Sequence, residues 1–440
     1  MNPFTEADNA TIINIDSSDR NPSFIENHAN DEKHQLNLPL LLQQSYATYQ
    51  LRKLSITLKW CALDHSSNVR KLISYVVFTF LTIVVPLFTS LFLHVPASAS
   101  QLDPFNFNKL LQIPESSLAI IAFFTLSRFF PSRYGLRQLL FLDALQDDSM
   151  YVRRGYTREL QKAFRYLACM MLPSFCVELV HKIIFFLNVE ISVPSCGTPL
   201  KWFVFVSVLV SWVYRTGLFL LACVLFRLTC ELQILRFEGL HKLFEGCESD
   251  ASIIFGEHVR IRRQLWITSH RYRFFIISCL LTITVSQLGS LLLVLEAKSD
   301  TTFFNSADLV ICSAVQLCGF FLCLMGAARI THRAQGIVSI GTKWHMVVTN
   351  ASAESEQWKA QMPEGPPSPT AIDSDSSDIN VAVTPQRPSS FQTRHALVTY
   401  LQHNYGGITL FGFVLDRGLL HTLFAFEFSM VLWILSMVAV

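Results

Sequence analysis

The sequence predicts an all-α protein, a bundle of seven transmembrane helices with a cytosolic N-terminus and an extracellular C-terminus. Three observations lead there. Hydrophobic residues make up 51% of the 440 and charged residues only 15%, against about 25% charged in a typical soluble domain. The charge deficit is concentrated in long apolar runs. Lys and Arg then gather in alternate connections between those runs, the bias that sets orientation in a bilayer.

A helix needs roughly 20 apolar residues to cross a hydrocarbon core of about 30 Å. The candidate runs are Leu72–Val95, Ser116–Phe130, Phe164–Val189, Lys201–Phe226, Tyr272–Leu295, Leu309–Ile330 and Leu419–Val440. The second is short, and the charge bias argues for counting it. Arg133, Arg137, Arg153, Arg154, Arg158 and Lys162 lie between the second and third runs. Arg227, Arg236, Lys242, Arg260, Arg262, Arg263, Arg271 and Arg273 lie between the fourth and fifth. The alternate connections carry Lys109, Lys201 and Lys298 alone. Without the second run, basic connections would fall on opposite faces. The basic stretch Arg52 to Lys71 places the N-terminus inside, and seven crossings place Val440 outside.

Basic residues beside apolar runs point to membrane orientation and away from nucleic acid. Residues 1 to 40 lack an apolar signal-peptide core, so the first run is expected to act as an uncleaved anchor. Most of the eleven Cys sit inside apolar runs, which argues against a disulfide framework, and no Cys/His spacing resembles a metal site.

Four regions follow. Residues 1–43 read as a disordered cytosolic tail. Residues 44–350 hold spans one to six, and the helices of the fourth, fifth and sixth are expected to run on into a cytosolic layer. Their apolar spacing continues past the bilayer edge through Leu228, Leu232 and Leu235, through Ile254, Val259 and Leu265, and through Ile337, Ile340 and Trp344. Residues 351–393, rich in Ser, Pro and Asp, read as a disordered cytosolic insertion in which Ser368 and Thr384 precede Pro and are candidate phosphorylation sites. Residues 394–440 hold a further cytosolic helix and the seventh span.

Ionisable and amide groups inside spans are costly and mark function or paired structure. Glu427 is the single acid of the last span; a ring of four copies would attract cations, with Leu423 and Val431 as companion pore residues. The competing reading is an acid hydrogen-bonded within one subunit. Glu178, His181 and Lys182 share a face of the third span, and Arg215 lies near the middle of the fourth. Glu178 can pair with Lys182 or reach across to Arg215. Gln287 and Gln316 complete the candidate cavity-lining set. Small residues line the fifth span at Ser278, Thr282, Ser286 and Gly289, and the sixth at Cys312, Gly319, Cys323 and Gly326, the pattern of close helix packing. No nucleophile–base set, nucleotide loop or metal constellation points to an enzyme or to a cofactor.

Several stretches, among them RRGYTRELQKAFRYLACMMLPSF, VLFRLTCELQILRFEGLHKLF, HVRIRRQLWITSHRYR, GFFLCLMGAARITHRAQGIVSI and GITLFGFVLDRGLLHTLF, resemble the plant gustatory receptor-like proteins. The resemblance covers most of residues 45–350 and 394–440. That family is similar in turn to insect gustatory and olfactory receptors, ligand-gated cation channels with seven spans and an inside N-terminus. Gly412, Phe413 and Asp416 match the insect pattern that enters the last span, whereas Ser429-Met430 and Ser436-Met437 stand where insect members carry Thr-Tyr and Gln-Phe. The resemblance implies a homotetrameric ligand-gated cation channel or chemoreceptor taking an unnamed small molecule, and the long apolar runs with plain flanks suit the plasma membrane. Two alternatives stand beside it: a non-conducting receptor or scaffold, and a secondary transporter using Glu178, His181 and Glu427. The absence of an internal repeat weighs against the transporter.

Overall fold

In hydrocarbon every backbone N–H and C=O must find a partner within the chain, so apolar spans fold as helices. The computed structural model describes residues 68–92, 104–129, 148–188, 198–245, 250–296, 303–361, 390–404 and 406–439. The described residues form nine α-helices: α1 (Asn68–Thr79), α2 (Val85–Phe92), α3 (Pro104–Phe129), α4 (Met150–Asn188), α5 (Thr198–Glu245), α6 (Ala251–Glu296), α7 (Phe303–Gln361), α8 (Ser390–His403) and α9 (Arg417–Ala439). One hairpin, β1 (Thr409–Leu410) with β2 (Phe413–Val414), joins α8 to α9. All of them belong to one compact unit, Ser55–Val440. The N-terminal tail, most of the stretch before the first span, and Ser368 and Thr384 lie outside the described residues.

Six helical rods are long and apolar enough to cross a bilayer: Asn68–Leu91, Tyr151–Ile184, Trp202–Glu245, Ala251–Leu292, Ile311–Glu354 and Arg417–Ile434. Their outward faces are apolar, with Leu72, Val76, Leu172, Val180, Leu281, Val285, Phe428 and Leu432 exposed, as lipid requires. The short second run forms the C-terminal half of α3, a 26-residue helix whose first half mixes polar and apolar residues. Its apolar half is core: Ala119, Ala122, Phe123 and Leu126 have no exposed surface.

Helix α5 is the hub. Its most apolar stretch is 94% buried, against 17% for α4 and 22% for α9. It packs against α7, α4 and α3. Two glycines of α7 let the rods close up. A Cβ on Gly319 would meet Leu220 at 2.9 Å and Phe219 at 3.0 Å, and one on Gly326 would lie 3.3 Å from the Cys230 Cβ and 3.6 Å from the Arg227 backbone.

The first rod is not a uniform helix. Pro86 lacks an N–H and forces the ladder to rewind, and Phe80–Val84 form a π-helical turn between α1 and α2. The Val85 N–H reaches the Phe80 carbonyl across five residues. On the same count the Leu81 carbonyl would need the missing N–H of Pro86. The Ser211 hydroxyl of α5 donates to it instead, at 2.5 Å.

As expected from their apolar spacing, α5, α6 and α7 continue far past a bilayer's thickness, with 48, 46 and 59 residues. Their extensions pack with α8 and the start of α4 into a helical layer. Phe244 meets Trp344 edge-on at 5.7 Å, and Leu232 and Trp344 are buried within the one chain. At its centre Asp148 accepts from Arg236 Nε at 3.1 Å and Nη2 at 2.8 Å, and from Arg260 at 2.6 Å. Helix α7 runs on to Gln361, into the segment expected to be disordered from residue 351.

The hairpin is the departure from an all-α chain. Thr409 pairs with Val414 and Leu410 with Phe413. Phe411 and Gly412 turn between them with φ of 48° and 94°, the left-handed pair of a two-residue hairpin loop. Asp416 then caps α9, its Oδ1 accepting the Leu419 N–H at 2.8 Å.

Candidate functional site

Three helices, α3, α5 and α7, bring polar groups to one buried place. Trp212, Arg215, Thr216 and Phe219 recur on α5 at helical spacing, so one face carries them all. Opposite stand Glu115 and Leu118 of α3, and Cys312, Val315 and Gln316 of α7. Glu115 Oε2 lies 3.2 Å from Arg215 Nη2, with both side chains at least nine-tenths buried. Glu115 Oε1 accepts from Trp212 Nε1 at 3.1 Å and from Cys312 Sγ at 2.7 Å. Arg215 Nη1 donates to Ser116 Oγ at 3.1 Å and to the Gln112 carbonyl at 3.3 Å. Gln316 Nε2 donates to Cys312 Sγ at 3.6 Å.

Desolvating two ions costs several kcal/mol each, which their attraction offsets only with good geometry and further hydrogen bonds. An ion pair so buried is thus a weak way to gain stability. Arg215 Nε meets no hydrogen-bond partner among the described residues. The residues border a crevice with a cavity volume of about 20 Å³. The pocket is narrow and has one donor to spare.

Arg215 and Gln316 belong to the candidate set read from the sequence and meet here, whereas Glu115 was missed. Its apolar run starts at Ser116, so Glu115 looked like a residue of the preceding connection, whereas α3 begins at Pro104 and carries Glu115 into the bundle. Of the two partners considered for Glu178, Lys182 is the one it meets, at 3.3 Å along α4; His181 shares that helix. Arg215 goes to Glu115.

Glu427 sits elsewhere, on the face of α9 that packs on α6. Thr284 Oγ1 donates to it at 2.5 Å, and the Gln287 amide nitrogen, turned toward the acid, reaches Oε2 at 2.9 Å and the Glu427 carbonyl at 3.1 Å. Leu423 and Val431, one turn to either side, are half-buried. The exposed side of α9 carries Thr422, Ala425, Phe428, Ser429 and Leu432. A wider cleft of about 620 Å³ opens between the α5 and α7 extensions, but its acids are engaged, Glu238 with Arg333 at 3.3 Å and Glu245 with His241 at 3.2 Å.

The chain belongs to the family described as "Protein of unknown function (DUF3537)", whose profile matches residues 49–426. No curated protein matches the sequence. Among solved structures the chain is similar to the insect olfactory receptor OR5 from Machilis hrabei. In complex with eugenol that receptor aligns at a TM-score of 0.57 with 13% identity, over 90% of this chain and 99% of the receptor. Without that complex it aligns at 0.51 with 12% identity, over 87% and 96%. At such identity the likeness shows the fold alone.

Proposed function

We propose that this DUF3537 chain is a small-molecule receptor of the plasma membrane, and that four copies form a ligand-gated cation channel. Its ligand site is the Glu115–Arg215 pocket. The observation that carries the reading is a buried ion pair bordering unfilled space where three spans meet, in a fold shared with a receptor solved with eugenol. Seven crossings with the N-terminus inside follow from the basic connections, with α3 as the second crossing and the helical layer in the cytosol. The exposed side of α9 is then the side available to the other copies and to an axial pore.

Glu427 favours a second reading, because its bonds to Thr284 and Gln287 tie it to its own chain. A carboxylate ring at the axis requires α9 to turn. Without that turn the chain is a receptor that signals through its helical layer and conducts nothing.

Purified full-length protein in lipid nanodiscs tests the proposal by particle imaging and by bilayer recording with eugenol as first probe. Fourfold particles with α9 at the axis, and cation current on addition, support the channel. Monomers that bind without current leave the receptor alone.

A further inference from the structure

We infer that the ligand of the Glu115–Arg215 pocket is a small organic acid, bound as a carboxylate on Arg215 after its proton passes to Glu115. This rests on the pocket being the ligand site.

A guanidinium presents its donors as a rigid fork that suits a carboxylate held by two parallel bonds. In the structure that edge is only half used. Arg215 Nη2 meets Glu115 Oε2 at 3.2 Å, while the neighbouring Nε meets nothing among the described residues. Glu115 cannot take both, because its other oxygen is held by Trp212 and Cys312. The pair is therefore singly bonded, on an arginine whose Nε–Nη2 edge awaits a second acceptor. A neutral alcohol would supply one acceptor; a carboxylate supplies two, in the plane of the fork.

Charge decides the form in which the ligand arrives. Glu115 and Arg215 already sum to zero, and Cys312 is the remaining titratable group lining the pocket. Adding an anion would leave a buried net charge, which is costly. The neutral acid avoids this: RCOOH and the Glu115 carboxylate become RCOO⁻ and the Glu115 carboxylic acid. One O–H bond breaks, one forms, and the pocket stays neutral. Leu118, Trp212, Phe219 and Val315 offer apolar and aromatic surface for the ligand body.

Equilibrium binding of radiolabelled benzoic acid and benzyl alcohol to the full-length protein in nanodiscs tests this. At about pH 6 benzoic acid should bind wild type roughly tenfold more tightly than the alcohol. Its affinity should weaken about tenfold per unit rise in pH near neutrality, because one proton enters with each benzoate. Glu115→Gln, which keeps an acceptor for Trp212, should bind benzoate about tenfold more tightly and without that pH slope, leaving the alcohol within about twofold. Arg215→Lys, which keeps the charge and loses the fork, should lose roughly tenfold for the acid alone. Alcohol binding as tight as acid at about pH 6, or a pH slope that persists in Glu115→Gln, overturns the acid while sparing the pocket. Failure of both compounds to bind either wild type or the Gln variant overturns the pocket itself.

Discussion

Asp148 and Arg236 form the most enclosed ion pair among the described residues, each side chain 1% exposed. Asp148→Asn leaves two arginines facing a neutral amide in the interior of the helical layer. Breaking such a pair costs about 3–5 kcal/mol, read as a fall in the thermal midpoint of the purified protein. The less enclosed pair Lys162–Glu159, at 2.6 Å with the lysine side chain 41% exposed, is the control, and Lys162→Ala should cost under about 1 kcal/mol. An equal loss from both would mean that solvent screens the two alike. His258, buried beside Tyr400 in the layer at 5.5 Å, makes a pH prediction. Burial, and then Arg262, push its imidazole down to about 4. The fold prefers it neutral, so its contribution is complete above about 6.5 and declines as pH falls toward 4. A thermal midpoint followed over that window should drop in wild type and drop less in His258→Phe.

At the scale of elements, the first rod couples one proline to one serine across two helices. Ser211→Ala orphans the Leu81 carbonyl and should cost about 1–3 kcal/mol. In a Pro86→Ala background, where the N–H returns and the π turn loses its cause, the same change should cost far less; an unchanged cost would remove Pro86 from the account. The start of α9 is set as locally. Asp416→Ala removes the cap on the Leu419 N–H and should cost about 0.5–2 kcal/mol, measured as before. Elements of this kind differ in how plainly the sequence announces them. Spans and extensions were legible because apolar periodicity is a property of single helices. The hairpin was not, since two strands of two residues carry too short an alternation to detect, and only Phe-Gly marked the turn. Glu115 was illegible for a different reason. A hydropathy boundary is drawn where apolar residues begin, and a helix that starts earlier carries polar residues inside unannounced. Glu178, by contrast, had its partner four residues away on the same helix, the spacing at which helical side chains meet.

For the whole molecule, the extensions raise the question of what holds copies together. Leu232 is fully buried in its own chain and Trp344 is 5% exposed. Charging them, as Leu232→Lys or Trp344→Glu, should therefore unfold the layer of a single subunit before it separates any assembly. Loss of folded protein at all concentrations is the expected outcome. Intact monomers released from an oligomer would show instead that these side chains reach across copies. The closeness of α5 and α7 at Gly319 and Gly326 has a mechanical consequence. Two stiff rods pressed together between about Phe219 and Cys230 behave as the blades of a pair of shears, with the contact as rivet. At 1.5 Å per residue, Arg215 stands ~15 Å to one side of its midpoint and Glu245 ~30 Å to the other. Parting the blades by 1 Å at Arg215 to admit a guest then moves their far tips by ~2 Å. Spin labels on Lys242→Cys and Lys343→Cys, both exposed near the far tips, read with and without benzoic acid, should register that nearly doubled stroke at a distance no ligand could touch.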